Sequence, residues 1–234
     1  MAPFRDRRAA GAALGARLRD ELDGGPSVVL GLPRGGVPVA AEVATALGAP
    51  LDVFVVRKLG VPGHRELAMG AIASGGVRVV NKAVVEGLRL GAPVIDAVAR
   101  DEAIELERRE RAYRGDRPPL DVAGRRVVLV DDGLATGASM RAAVLVARDA
   151  GARRVIVAVP VAARETAREL RLLADDCVCV HETDALDGVG SWYRDFSQLT
   201  DESVAAMLAP GPRSSKVTID STRPASALNS PDRS

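Results

Sequence analysis

The stretch VVLVDDGLATGAS, residues 127–139, runs from four aliphatic residues into two adjacent carboxylates and then into a loop of small and hydroxylated residues. An unbroken apolar run of this kind reads as a strand covered on both faces, as in a parallel sheet flanked by helices. Outward from it the pattern repeats. Strands are expected at 27–32 (SVVLGL), 51–56 (LDVFVV), 77–80 (VRVV), 154–161 (RVIVAVPV) and 177–180 (CVCV). Helical periodicity fills 36–48, 95–113, 139–150 and 164–173. Apolar strands alternating with helices define an α/β fold with a parallel sheet between two helical layers.

The flanks complete the organisation. Leu14, Leu18 and Leu22 form an i, i+4 stripe, so the Arg-rich N-terminus is read as a first helix rather than a leader. Segment 58–76 is rich in glycine and is expected to be a mobile loop, with GVPG and SGG as hinges. The helix over 95–113 carries four acid-before-base pairs at i, i+4: Asp96–Arg100, Glu105–Arg109, Glu107–Arg111 and Glu110–Arg114. That spacing predicts a solvated helix face. One domain is expected over 1–209, with a core at about 24–180, a helical insertion at 82–118 and a variable C-terminal part at 181–209. The Ser- and Pro-rich stretch 210–234 reads as a disordered tail.

Composition excludes several classes of function. Hydrophobic residues make up 47% and charged residues 27%, as in a globular domain, and aromatics are only 3%. The net charge of +1 gives no bulk attraction to DNA, and no apolar run is long enough to span a membrane. Cys177 and Cys179 have no matching Cys or His pair for zinc and read as small apolar residues in a reducing, cytoplasmic setting.

The chemistry gathers where strands end, because ligands of open α/β sheets bind beyond the carboxyl ends of the strands. Residues 135–139 (ATGAS) form a loop opening a helix, whose N–H groups suit a phosphate, with Thr136 and Ser139 hydroxyls as further donors. The loop lacks the lysine of a Walker A motif, so an NTPase reading of VVLVDD has no partner loop. Asp131 and Asp132 stand on the strand side, where two carboxylates accept hydrogen bonds from a vicinal diol or hold Mg²⁺ through water. A phosphate on one side and a diol on the other describe a ribose 5-phosphate.

VVLVDDGLATGAS closely resembles the phosphoribosyl-pyrophosphate (PRPP) signature of the type I phosphoribosyltransferases. GLPRGGVPVA (31–40) looks like that family's pyrophosphate loop, where an exposed peptide, often cis and followed by glycine, offers its backbone to the diphosphate. Arg34–Gly35 is the matching pair. VVRK (55–58) matches its basic residues near the pyrophosphate, and 60–76 its flexible loop. Together these motifs cover residues 27–160. Gly133 departs from the pattern, which more often has an aliphatic residue there.

The resemblance implies a Mg²⁺-dependent transfer of the 5-phosphoribosyl group from PRPP to a small-molecule nitrogen acceptor, with pyrophosphate released, as in nucleotide metabolism and salvage. It assigns the catalytic set to Asp131, Asp132, Arg57 and Lys58, with the two acids holding the metal. The 5-phosphate goes to Ala135, Thr136, Gly137, Ala138 and Ser139, and the pyrophosphate to Arg34, Gly35, Arg57 and Lys58. It also implies a homodimer. A third acid that acts on 6-oxopurines in some members is replaced by Ala135, which counts against hypoxanthine and guanine.

Four side chains keep two roles open. Trp192 and Tyr193 either stack on an acceptor base or form a small core under the C-terminal segment. His64 and Glu66 in the lid are either acid–base groups or solvated. A second class of function stays open beside the enzyme: a regulator that binds PRPP or nucleotides without turnover.

Overall fold

The computed structural model describes residues 3–22 and 27–209, without the side chains of 65 and 66. The stretch 210–234, read as a tail, lies outside the described residues. The predicted strands and helices assemble in an orderly way. Helix α1 (Arg7–Glu21) is capped by Asp6, whose carboxylate accepts the Ala9 N–H at 2.8 Å. Then follow β1 (Ser27–Gly31), α2 (Gly36–Leu47) and β2 (Leu51–Val53). Further along come β6 (Arg126–Val130), α5 (Ala138–Asp149), β7 (Arg154–Ala163), α6 (Arg164–Leu173) and β8 (Asp176–Thr183).

These strands form one parallel sheet in the order β2-β1-β6-β7-β8. Their side chains divide by alternation. Val28, Leu30, Val127, Leu129, Val155 and Val157 pack with Met140 and Val144 of α5. Val29, Val128, Val130, Ile156 and Ala158 pack with Leu14 and Leu18 of α1 and Val39 and Val43 of α2. A period of two in the strands therefore supplies both helical layers, and the helices that follow β1 and β6 lie on opposite faces.

Three expectations are corrected, two of them in one stretch of chain. The run 51–56 is not one strand. After β2 the chain leaves the parallel sheet, with Phe54 buried in one core cluster and Val55 in another. It continues as β3 (Val56–Val61), β4 (His64–Ala73) and β5 (Val77–Val80), an antiparallel sheet. The expected mobile loop 58–76 is thus mostly a β-hairpin. Its glycine-rich points are turns: Gly63 closes the β3–β4 connection at φ 81°, and Gly75 and Gly76 turn the chain into β5 at φ 80° and 77°. Positive φ at these positions is what glycine supplies.

The third departure concerns the charged helix. After α3 (Lys82–Gly87), helix α4 (Ala92–Arg114) lays Ile95, Leu106 and Tyr113 against Leu59, Met69 and Ile72 of the small sheet. Val204 and Leu208 of α7 (Asp201–Leu208) close that cluster. Most of the α4 charges sit at the surface, but Arg114 is buried. Its Nε meets Asp52 Oδ2 at 2.9 Å, Nη1 meets Glu110 at 2.9 Å, and Nη2 donates to the Val53 carbonyl at 2.6 Å. Asp52 also accepts the Leu120 N–H at 3.1 Å, so this buried pair ties α4 to β2 and to the chain entering β6. Asp96, in turn, pairs with Arg78 of β5 at 2.7 Å.

Cys177 and Cys179 are buried and unlinked, side by side on one face of β8 with their sulfurs 3.9 Å apart. No helix among the described residues is long and apolar enough to cross a membrane.

Candidate active site at the strand switch point

Strand order reverses between β1 and β6, which lie in register with Gly31 opposite Val130. Their following loops therefore leave the sheet side by side, at the crevice where ligands of such sheets bind. The loop after β1 contains a cis peptide bond between Pro33 and Arg34. Gly35 then passes so close to the other loop that a Cβ there would lie 2.0 Å from Asp132 Oδ2. At Gly36 a Cβ would lie 2.5 Å from the Val130 carbonyl. The GG pair is required by this approach.

In the loop after β6, the Asp132 N–H donates to Asp131 Oδ1 at 2.8 Å. Burial raises the Asp131 carboxyl well above the ordinary range, and the neighbouring Asp132 charge adds to this. Burial raises Asp132 too, opposed by the guanidinium of Arg7, whose Nε lies 2.8 Å from Asp132 Oδ2. Leu134 anchors the loop through a bridge to Ala162 of β7. Gly137 then turns at φ 66°, where a Cβ would strike Thr166 at 2.5 Å, and α5 begins at Ala138. Thr136 and Ser139 are exposed beside the helix N-terminus, as a phosphate site requires. Two braces hold this loop from behind: Thr166 donates to the Ala135 carbonyl at 2.6 Å and Arg141 to the Thr136 carbonyl at 2.6 Å. Gly133, the departure from the signature, has a packing cause. A Cβ there would lie 2.6 Å from Val189.

A cleft of about 680 Å³ opens beside these loops. Leu32 and Pro33, Arg57 and Lys58, the hairpin tip Gly60–Gly63 and Ser139 all line it. The structure thus brings together the cis-peptide loop, the basic pair and the loop before α5, which are far apart in sequence. Helix α4 supplies the far wall through Val98, Asp101, Glu102 and Arg109. Arg57 is held there by Glu102, with Nε 2.7 Å from Oε2. Arg34 lies 4.0 Å from Asp201, which also accepts from the Tyr113 hydroxyl at 2.9 Å.

Other candidate residues lie elsewhere. Tyr193 is buried, packed between Phe4 and Phe196, and its hydroxyl donates to the Asp132 carbonyl at 2.5 Å. Burial and the Asp132 charge raise its pKa. Its ring is committed to packing, so it has no face to offer an acceptor base. Trp192 stacks on His181, with ring centroids 5.5 Å apart. Tyr193 is thus part of a small aromatic core under the C-terminal segment, while Trp192 stays half-buried beside it. His64 is exposed at the start of β4, and the side chain of Glu66 lies outside the described residues.

Arg7, Glu102 and Thr166 touch the candidate site residues without a sequence signal. Arg7 sits in an Arg-rich stretch, Glu102 in a charge run, and Thr166 opens an amphipathic helix. Only contacts across the fold single them out.

Comparison with known proteins accords with this geometry. The chain is 46% identical to the crystal structure of TT1426 from Thermus thermophilus, with a TM-score of 0.81, over 89% of this chain and 98% of that one. It is 50% identical over 208 residues to the Mycobacterium tuberculosis H37Rv protein named "Putative phosphoribosyl transferase Rv0571c". That match takes in 89% of this chain and 47% of the relative, so the chain spans about half the length of that protein. A "Bifunctional protein PyrR" from Deinococcus deserti is 28% identical over 68% of this chain and 95% of its own length. The model of the phosphoribosyl transferase domain matches residues 6–190, the span that carries both switch-point loops and the cleft; the chain belongs to that family.

Proposed function

We propose that this chain is a Mg²⁺-dependent phosphoribosyltransferase that moves the 5-phosphoribosyl group of PRPP to a nitrogen acceptor and releases pyrophosphate. One observation carries the reading. An acid pair and an open helix N-terminus share one loop after β6, and Gly35 of the cis-peptide loop lies against the second acid. A ligand with a phosphate, a diol and a diphosphate fits that sequence of groups.

The α5 N-terminus with Thr136 and Ser139 binds the 5-phosphate, and Asp131 and Asp132 accept from the ribose hydroxyls. The nitrogen lone pair attacks C1 while the C1–O bond breaks, and the bonding electrons leave with the diphosphate. Negative charge grows on that leaving group, so Arg34, Arg57 and Lys58 stabilise the transition state more than the ground state. The β3–β4 hairpin walls the cleft and restricts water at the reacting carbon. Among the described residues there is no cluster of three or more acid, His or Cys side chains able to cage a metal. The hard oxygens of Asp131 and Asp132 fit Mg²⁺, whose remaining ligands would be waters and substrate phosphates. When bound, the ion supplies neutralising charge to the diphosphate.

The decisive experiment is titration of the protein with PRPP and Mg²⁺, followed by a pyrophosphate-release screen over bases and amines. Asp131→Asn/Asp132→Asn is the control. Wild-type binding with loss in the double variant is expected. Equal binding by both proteins would overturn the site assignment. Binding with no release from any acceptor would instead favour a PRPP-sensing regulator.

A further inference from the structure

Arg7 is 125 positions from Asp132 in sequence, yet its guanidinium is fixed on that carboxylate from several sides. The approach begins with helix packing. A Cβ on Gly11 would lie 2.7 Å from the Val39 carbonyl, and one on Gly15 would lie 2.7 Å from Ala46 Cβ. These glycines let α1 lie close on α2, whose first residue follows the cis-peptide loop, and the start of α1 then reaches the switch point. There Arg7 Nε donates to Asp132 Oδ2 at 2.8 Å and Nη1 donates to the Ser197 carbonyl at 2.9 Å. The guanidinium carbon lies 3.8 Å from the centre of the Phe196 ring. The two paired side chains are only 12% and 14% exposed.

The chain segments bearing these groups are bound to one another. The Phe4 N–H donates to the Trp192 carbonyl at 2.7 Å, that of Arg194 to the Phe4 carbonyl at 2.8 Å, and that of Asp195 to the Arg5 carbonyl at 2.9 Å. Tyr193, in the same stretch, holds the Asp132 backbone carbonyl. An exposed ion pair costs two flexible side chains their freedom for little gain. Here the guanidinium is fixed by a carboxylate, a carbonyl and a ring, so its orientation is set before any ligand arrives.

We propose that Arg7 is a positioning residue for sugar recognition: it holds Oδ2 of Asp132 and so presents Oδ1 to a ribose hydroxyl. The inference rests on the reading of Asp132 as a diol acceptor. A carboxylate already oriented does not have to be ordered by the ligand, and that difference appears as affinity for the sugar part alone. Arginine suits the task because its planar fork donates from Nε and Nη1 in fixed directions, which a lysine ammonium does not.

The test compares two probes, ribose 5-phosphate and inorganic phosphate, by calorimetry on the full chain without metal. For Arg7→Gln the affinity for ribose 5-phosphate is expected to fall about ten- to a hundredfold, the range for lost outer supports of a binding group. Affinity for phosphate stays at the wild-type value. Arg7→Lys recovers part of the loss. Adding Arg7→Gln to Asp132→Asn produces no further loss, because both act through one carboxylate. Equal loss for both probes would make Arg7 a structural strap, and no loss for either would leave it without a role; each overturns the proposal. If Arg7→Gln does not fold, Phe196→Leu keeps the charge but removes the ring beneath it, and the same ratio of affinities decides. Should Asp132→Asn bind ribose 5-phosphate as wild type does, the diol reading falls and the proposal with it. Loss in Asp132→Asn but not in Arg7→Gln refutes Arg7 alone.

Discussion

At one end of the candidate site, residues 131–139 bring the acid pair and the loop proposed for the 5-phosphate from a single segment, held by β6 within the buried parallel sheet. At the other end, Arg34, Arg57 and the acids facing them come from a loop, a hairpin and two helices, α4 and α7. The first end is continuous in sequence and braced by backbone contacts such as Thr166 to Ala135. The second is assembled across the fold and stabilised by ion pairs, Arg57–Glu102 and Arg34–Asp201. In the proposed reading, a group that binds one fixed phosphate gains from a rigid cradle. In the same reading, a group that receives a departing diphosphate works with side chains whose partners can be exchanged for it.

Four substitutions break or sharpen this contrast. The largest effect is expected for Arg114→Met, which leaves Asp52 buried without its partner and costs about 3–5 kcal/mol in stability. Chemical denaturation measures that loss, and the contrast predicts weaker pyrophosphate binding with phosphate affinity retained, since α4 walls only the diphosphate end. Next is Gly35→Ala. The added methyl meets Asp132, the two loops separate, and PRPP binding falls about a hundredfold, as displacements of about an ångström do. Unchanged binding by calorimetry would mean the loops do not work as one site. Thr166→Val removes a single brace behind the phosphate loop, so inorganic phosphate should bind about fivefold more weakly, matching a net hydrogen bond of about 1 kcal/mol. The smallest effect goes the other way: Glu102→Gln frees Arg57 and strengthens pyrophosphate binding by about twofold, in line with the modest worth of a partly exposed pair. Its affinity for inorganic phosphate should not move.

The same contrast explains how much of the molecule was legible beforehand. The parallel sheet and its helices follow from apolar runs and periodicity, and VVLVDDGLATGAS needs no partner segment to be recognised. The run 51–56 misled because a continuous apolar stretch gives no sign of the residue where a chain passes from one sheet to another. Phe54 and Val55 are both buried, each in a different core. Segment 58–76 read as a loop because glycine density marks turns and bulges as well as mobility. The charged helix read as a solvated face because i, i+4 spacing describes the helix alone, while Arg114 pairs with Asp52 across the fold as well as with Glu110. Tyr193 had two roles open until the Asp132 carbonyl supplied a partner for its hydroxyl.

By itself the sequence determined the fold class and the adjacency of the acid pair Asp131–Asp132 to the small-residue loop 135–139. Both are local properties, fixed by hydrophobic period, residue type and spacing. Tertiary structure alone decided what faces those groups: Arg7 on Asp132, Glu102 on Arg57 and Val189 against Gly133. These are encounters between distant segments, and they depend on helix packing distances and strand order, which no short window of residues encodes.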